Sequence, residues 1–224
     1  MADRMVVFDM DGVLVDVRES YRETIQRTVE HFTGARVTRE SIQEWKNRGG
    51  WNDDWKLSAA LIRAEGFEAD YNAVVDYFQS IFHGDDGLIL RERWIARSGV
   101  LERLNRHFRF AVFTGRLRWE AELTLRRFAP DLRFEPIVGV DDVTNHKPAP
   151  DGLLHIARLA PSAELWYVGD TVDDARSAKA AGVPFIGIAS PAGERREQLV
   201  SLFRAEGAKA VLDDINQLEG ALTV

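Results

Sequence analysis

Short apolar runs alternate with stretches of helical spacing along most of the chain. The first run, Val6, Val7 and Phe8, is β-branched and aromatic, as a buried strand requires. Apolar positions then recur at helical spacing (Tyr21, Ile25, Val29, Phe32) and predict a helix over 18–32. Three more helices, over about 39–47, 52–64 and 71–82, follow with no strand between them. From Gly99 the pattern changes: a helix over 100–104, then strands over 110–113, 137–140, 165–168, 185–188 and 210–212. Helices over 118–128, 151–159, 173–181, 194–205 and 215–222 separate and close them. This alternation predicts an α/β fold, a parallel sheet with helices on both faces. The early helical block interrupts it and reads as an inserted all-helical second domain. The expected boundaries are 1–16 and 97–224 for the sheet core and 17–96 for the insertion. Hinges are expected near Val15 to Arg18 and Arg93 to Gly99.

Composition changes this picture little. The 224 residues allow one large domain or a domain with an insertion, and 45% hydrophobic with 29% charged residues is ordinary for a globular protein. The absence of cysteine excludes disulfide scaffolds, thiolate metal sites and cysteine nucleophiles. A net charge of −7 argues against nucleic acid or an anionic membrane as main partner. No stretch is long and apolar enough to span a bilayer, and Asp3, Asp9 and Asp11 interrupt the N-terminal apolar segment, unlike a secretory signal. A cytoplasmic protein is expected, with a small molecule rather than nucleic acid or membrane as partner. Monomer and homodimer both stay open.

Candidate chemistry enters at the strand ends. In an open parallel sheet, ligands bind outside the carboxyl ends of the strands. The first strand leads into Asp9, Met10, Asp11 and Gly12. If the strand continued, both carboxylates would point the same way. Two unit charges about 4 Å apart repel by roughly 4 kcal/mol at an effective dielectric near 20, so a cation between them or a retained proton is implied. The strand at 110–113 leads to Thr114, Gly115 and Arg116; the one at 137–140 to Asp141, Asp142, then His146, Lys147 and Pro148; the one at 165–168 to Gly169, Asp170, Thr171, Val172, Asp173 and Asp174. Singly, each has a plainer role. Thr-Gly serves as a turn and helix cap, a lysine before proline as a solvated loop residue, and Asp173 or Asp174 as a helix-capping acid. Their recurrence at four strand ends in order points to one site.

Each part suits phosphoryl transfer. Asp9 can act as a carboxylate nucleophile and Asp11 as general acid and then base. Asp170 completes an all-oxygen site that favours Mg²⁺ over zinc. Thr114 and the Gly115 amide can donate to phosphoryl oxygens, and Lys147 can hold the phosphate and pair with Asp9.

The same residues resemble the haloacid dehalogenase-like superfamily of hydrolases over essentially the whole chain. The first motif is Asp9-Met10-Asp11-Gly12 through Asp16, the second Phe113-Thr114-Gly115-Arg116, the third Lys147 within His146-Lys147-Pro148-Ala149-Pro150, and the fourth Gly169-Asp170-Thr171-Val172-Asp173-Asp174. The resemblance implies a Rossmann-like core, a helical cap inserted after the first strand, and a Mg²⁺-dependent phosphatase acting on a small phosphate monoester. By it Asp9 is the nucleophile, Asp11 the acid/base group whose backbone carbonyl also binds metal, and Asp170 the metal carboxylate. Asp174 is a further acid of the metal site, with Asp173 as its alternative. The dehalogenase branch lacks an acid at the position of Asp11, so ester chemistry is expected. The phosphonatase branch uses a cap lysine, and Lys46 and Lys56 lie in the cap, but Asp11 again points to esters. A phosphomutase shares these motifs and stays open, as does a non-catalytic binding protein. Arg116 departs from the Asn or Ser usual after this Gly; it is read as a cation near the substrate or as a solvated residue.

The cap carries the specificity. Between Trp45 and Trp55 it holds three tryptophans, Lys46, Arg48 and the Gly49-Gly50 pair. The glycines would let a loop approach a ligand, and Arg48 or Lys46 could reach a second anionic group; alternatively the tryptophans are helix core and the charges solvated. The stretch is similar to a branch associated by name with histidine biosynthesis, which puts histidinol phosphate beside phosphoglycolate and sugar phosphates as candidate substrates.

Overall fold

In the computed structural model, which describes residues 3–222, the chain begins with β1 (Arg4–Phe8) and the two-residue β2 (Val15–Asp16). Four helices follow: α1 (Tyr21–Thr33), α2 (Arg39–Arg48), α3 (Asp54–Ala64) and α4 (Tyr71–His83). The chain returns through β3 (Arg93–Trp94) and α5 (Val100–Leu104). It then alternates: β4 (Arg109–Phe113), α6 (Arg118–Phe128), β5 (Phe134–Val138), α7 (Asp151–Leu159), β6 (Glu164–Gly169), α8 (Val172–Ala181), β7 (Phe185–Ile188), α9 (Arg196–Ala205), β8 (Ala210–Leu212) and the short α10 (Leu218–Ala221).

The six longer strands form one parallel sheet in the order β5-β4-β1-β6-β7-β8. The chain leaves β1 in both directions, first to β4 and β5 and later to β6 on the other side, so β1 is the switch point where an open sheet forms its crevice. Alternation along β1 explains why a continuous apolar run was needed. Val6 and Phe8 pack into the cluster that holds α5, α6 and α10, and Met5 and Val7 into the opposite one with α7, α8 and α9. Helices therefore cover both faces, as the alternation predicted.

The first of these clusters runs on through Val13, Leu14, Val15 and Tyr21 into the helical block, where α1 packs on α3 and α4 around Ile25, Val29, Leu61 and Phe78. Trp45 and Trp51 meet edge to face at 4.9 Å and pack against this cluster, so they are largely core. The two crossings between sheet and helical block pair with each other, Val15 opposite Trp94 and Asp16 opposite Arg93. Such two-residue strands are too short to leave a sequence pattern.

Helices α1 and α9 start at Tyr21 and Arg196 rather than at 18 and 194, and two further boundaries differ for a visible reason. The strand expected over 137–140 is β5, which starts earlier, at Phe134, and contains Pro136. Proline breaks the sequence pattern, but β5 is an edge strand with a shifted register against β4, where a missing N–H is tolerated. The closing helix begins as a 3₁₀ turn at Ile215–Gln217, capped by Asp214.

The loop after α2 docks on the sheet core. Gly49 and Gly50 have φ of +83° and +82°, and the Gly50 amide donates to both carboxylate oxygens of Asp173 at 2.8 and 2.9 Å. A Cβ on Gly49 would sit 2.0 Å from an Arg176 nitrogen. The close approach that the glycine pair permits is thus to α8 rather than to a ligand. Replacing Asp173 by Ala removes a charge-assisted hydrogen bond of about 1.5–3 kcal/mol. Trypsin is expected to cut after Arg48 several-fold faster in Asp173→Ala than in the parent chain; equal rates in a timed digest would show that the loop is held by other contacts.

Candidate active site

β1 ends at Phe8, yet the Asp9 amide still donates to Val168 O at 2.8 Å, so Asp9 is fixed to β6 as the strand stops. The chain then turns tightly, with Met10 O accepting from the amides of Val13, Leu14 and Val15. Asp9 and Asp11 both line one cavity, brought there by this loop rather than by continued strand alternation. Gly12 makes the turn at φ +71°, and Asp170 presses so closely that a Cβ there would fall 1.9 Å from Oδ2 of Asp170.

Three carboxylates, Asp9, Asp170 and Asp174, offer oxygens within 4.8 Å of one another. One cation is buried among them. Lys147 Nζ lies 2.9 Å from Asp9 Oδ1 and 2.7 Å from Asp174 Oδ1, over the faces of Phe113 and Tyr167. Burial opposes the ammonium charge, but Asp174 and Asp9 hold Lys147 above its ordinary value. Burial pushes the Asp9 carboxyl up to about 7, with Lys147 opposing and Asp174 and Asp11 adding repulsion. Asp174 goes the other way: burial works against its charge, yet Lys147 and the hydrogen bonds from Thr171 and Tyr167 hold it below the usual carboxylate range.

Those bonds also define what Asp174 can do. Oδ1 accepts from Tyr167 Oη at 2.6 Å and contacts Lys147, while Oδ2 accepts from the Thr171 amide at 2.9 Å and its hydroxyl at 2.6 Å. Each oxygen already has two donors, so Asp174 anchors Lys147 and the α8 N-terminus. Asp170 is the reverse. Among the described residues no donor reaches its carboxylate, and burial, then repulsion from Asp9 and Asp174, raises it well above its ordinary value. Asp9 Oδ2 is likewise without a protein donor. An all-oxygen set with more negative charge than Lys147 offsets fits a divalent cation, and Asp9 and Asp170 hold the oxygens free to bind one.

The cavity above these groups has a volume of ≈ 260 Å³ and lies between the strand ends and the helical block. Of the residues expected at the site, Asp9, Asp11, Gly115, Arg116, Lys46 and Asp170 line it. Thr114 is buried beneath Gly115, its hydroxyl oxygen accepting from the Arg116 amide at 3.2 Å. Lys46 reaches the wall already paired with Asp54 at 2.7 Å. The Arg48 side chain does not reach the cavity; it turns outward to Glu44 at 2.9 Å, an i,i+4 pair, and lies over Trp45. Asp173 serves the loop contact described above, so Asp174 is the acid that joins the cluster.

Tyr21 and Arg22, in the first turn of α1, line the cavity and went unforeseen, while Asn52 and Trp55, from the Trp45–Trp55 stretch expected to carry specificity, line it too. Arg22 donates through Nη2 to Gln43 at 3.1 Å, while its Nη1 is buried without a partner. The signal for the first pair was position, since a helix that starts a few residues after a strand-end motif begins over the site. Arg116 is neither solvated nor free: its side chain is 1% exposed and pairs with Asp11 and Glu92.

An acidic crevice at the switch point of a parallel α/β sheet, closed by helices inserted after the first strand, is the arrangement of a hydrolase site. The sequence matches the family described as haloacid dehalogenase-like hydrolase over residues 6–188, and the chain belongs to that family. It is 32% identical over 199 residues to a Phytophthora nicotianae protein named imidazoleglycerol-phosphate dehydratase, covering 83% of this chain but only 43% of that protein. It is 25% identical to a phosphoglycolate phosphatase of Pseudomonas fluorescens, over 83% of this chain and 69% of the relative. Among solved structures, phosphatase Tt82 from Thermococcus thioreducens superposes with a TM-score of 0.64 at 27% identity, covering 98% of this chain and all of that one (100%). Among the described residues, no helix is long and apolar enough to cross a membrane.

Lys147→Met would leave Asp9 and Asp174 facing each other without a cation. Breaking a buried pair this way costs about 3–5 kcal/mol, and urea unfolding of the metal-free variant is expected to show a loss of that size. A loss under about 1 kcal/mol would mean that the carboxylates take up protons at no net cost.

Proposed function

We propose that this protein is a Mg²⁺-dependent phosphatase, a phosphoric monoester hydrolase that acts on a small phosphorylated metabolite in the cytoplasm. The observation that carries this reading is Asp9. It is 4% exposed at the cavity floor, with Oδ1 held by Lys147 and Oδ2 unengaged next to Asp11 and Asp170. Phosphatase-named relatives agree with it.

The chemistry follows from the residues. Asp9 Oδ2 attacks phosphorus, the ester P–O bond breaks with its electron pair on the leaving oxygen, and that oxygen takes a proton from Asp11. Asp11 then takes a proton from water, which attacks the aspartyl-phosphate, breaks the bond from Asp9 to phosphorus and releases phosphate. Lys147 favours the anionic form of Asp9 and orients it, and the Gly115 amide in the cavity wall would donate to phosphoryl oxygens. Mg²⁺ held by Asp9 and Asp170 would neutralise charge on those oxygens.

The cavity suits a small ester such as phosphoglycolate, a sugar phosphate or histidinol phosphate; the last is an imidazole-bearing phosphate, like the imidazoleglycerol phosphate in the name of the Phytophthora relative. Asp9→Asn is expected to lower phosphate release from a panel of such esters by on the order of a thousandfold with the fold kept. Unchanged turnover would remove the reading, and isomer formation in place of phosphate release would make the enzyme a phosphomutase. Separately, Mg²⁺ at about 100 times its Kd should stabilise the chain by about 2.7 kcal/mol in thermal melts, and Asp170→Asn should abolish that gain.

A further inference from the structure

We propose that Arg116 is a positioning residue that aims the Asp11 carboxylate, and that Glu92 holds Arg116 in place to do so. This rests on Asp11 as the proton donor and acceptor proposed above.

Arg116 Nε donates to Asp11 Oδ1 at 2.7 Å, and Nη2 lies 2.5 Å from the same oxygen. Two nitrogens on one oxygen hold Oδ1 in place, and among the described residues Oδ2 has no donor. The carboxylate is 29% exposed and lines the cavity, so Oδ2 is the oxygen presented to a substrate. The guanidinium has further partners on its other side. Nη2 also donates to Glu92 Oε1 at 2.6 Å and Nη1 to Thr124 Oγ1 at 3.0 Å, and the Thr124 hydroxyl donates to Glu92 Oε2 at 3.1 Å. The guanidinium also lies over the Tyr21 ring, 4.9 Å from its centroid. A guanidinium with these partners has less to offer a phosphate than a free one.

Stability does not account for the cluster. The Arg116 and Glu92 side chains are each 1% exposed, and a desolvated ion pair contributes little or nothing to stability relative to apolar residues of the same volume. It does fix geometry. Glu92 stands directly before β3, whose partner β2 contains Val15, and Val15 forms a bridge to Asp11. Arg116 therefore spans from the second strand end to both crossings between sheet and helical block. The aim of Asp11 depends on how those crossings sit.

A misaimed general acid has a signature that a loosened fold lacks. Proton donation matters for a poor leaving group and little for a good one. The test uses the full chain with Mg²⁺ and a series of phosphate monoesters from 4-nitrophenyl through phenyl to alkyl, with Arg116→Lys, Glu92→Gln and Thr124→Val. Thr124→Val keeps both charges and the side-chain shape, so it carries the test if the charge variants fail to melt cooperatively. The expected result is a kcat loss of roughly 10–100-fold on alkyl esters and under about threefold on 4-nitrophenyl phosphate, with KM unchanged. Asp11→Asn should show the same steepened dependence, and adding Arg116→Lys or Thr124→Val to it should steepen it no further. An equal loss across the series, or a raised KM with kcat kept, overturns the proposal. No phosphate release by the parent chain, or full activity of Asp9→Asn, would instead overturn the phosphatase reading.

Discussion

Three carboxylates around one lysine at the ends of β1 and β6 set the terms for the rest of the structure. Asp9, Asp170 and the capping Asp174 crowd within 4.8 Å, and Lys147 pairs with only two of them. Such a cluster is unfavourable unless the backbone leaves it no alternative. The parallel sheet supplies that constraint. β1 lies between β4 and β6, and its buried residues on both faces prevent a register slip that would relieve the crowding. The turn at Gly12, forced by the closeness of Asp170, and the Thr171 capping of Asp174 are local consequences of the same demand.

The N-terminus of α8 connects the charge cluster to the helical block. Asp173 and Asp174 are consecutive, and in a helix consecutive side chains point about 100° apart. Asp174 turns into the cluster, while Asp173 turns to the loop after α2 and takes the Gly50 amide. Arg176, one turn on, donates to Arg48 O at 3.3 Å. On the opposite side the contact is more deeply buried. Tyr21 Oη donates to Glu120 at 3.2 Å and His83 meets the same carboxylate at 2.6 Å. The helical block is thus held to the sheet core at both edges, by Asp173 and Arg176 of α8 and by Glu120 of α6.

What was legible in the sequence follows from where the information lies. Strand ends carrying acids could be read because alternation of apolar runs and helical spacing is local, and each motif sits a fixed step beyond its run. Asp9, Lys147 and Asp170 were found that way. Arg116 was visible as a departure, but its meaning depends on Glu92, 24 residues away in a segment with no periodicity, and on Tyr21 across the helical block. Arg48 was attractive as a cation in an unusual stretch. Its i,i+4 relation to Glu44 was equally present in the sequence and directs the side chain away from the cavity. Pro136 hid three of the five residues of an edge strand because proline is a strand breaker only where its missing N–H is needed.

Asp9 and Asp11 end up with parallel arrangements built from different parts of the chain. Each has Oδ1 engaged by a buried cation, Lys147 for one and Arg116 for the other, and each has Oδ2 unengaged toward the same cavity. Each acid thus has a cation of its own, which offsets part of the repulsion between the two. That division gives two like residues, two positions apart, unlike surroundings. Asp9, the proposed nucleophile, is buried among acids, while Asp11, the proposed proton carrier, stands at the cavity edge, tied through Arg116 and Glu92 to the crossing segments of the helical block.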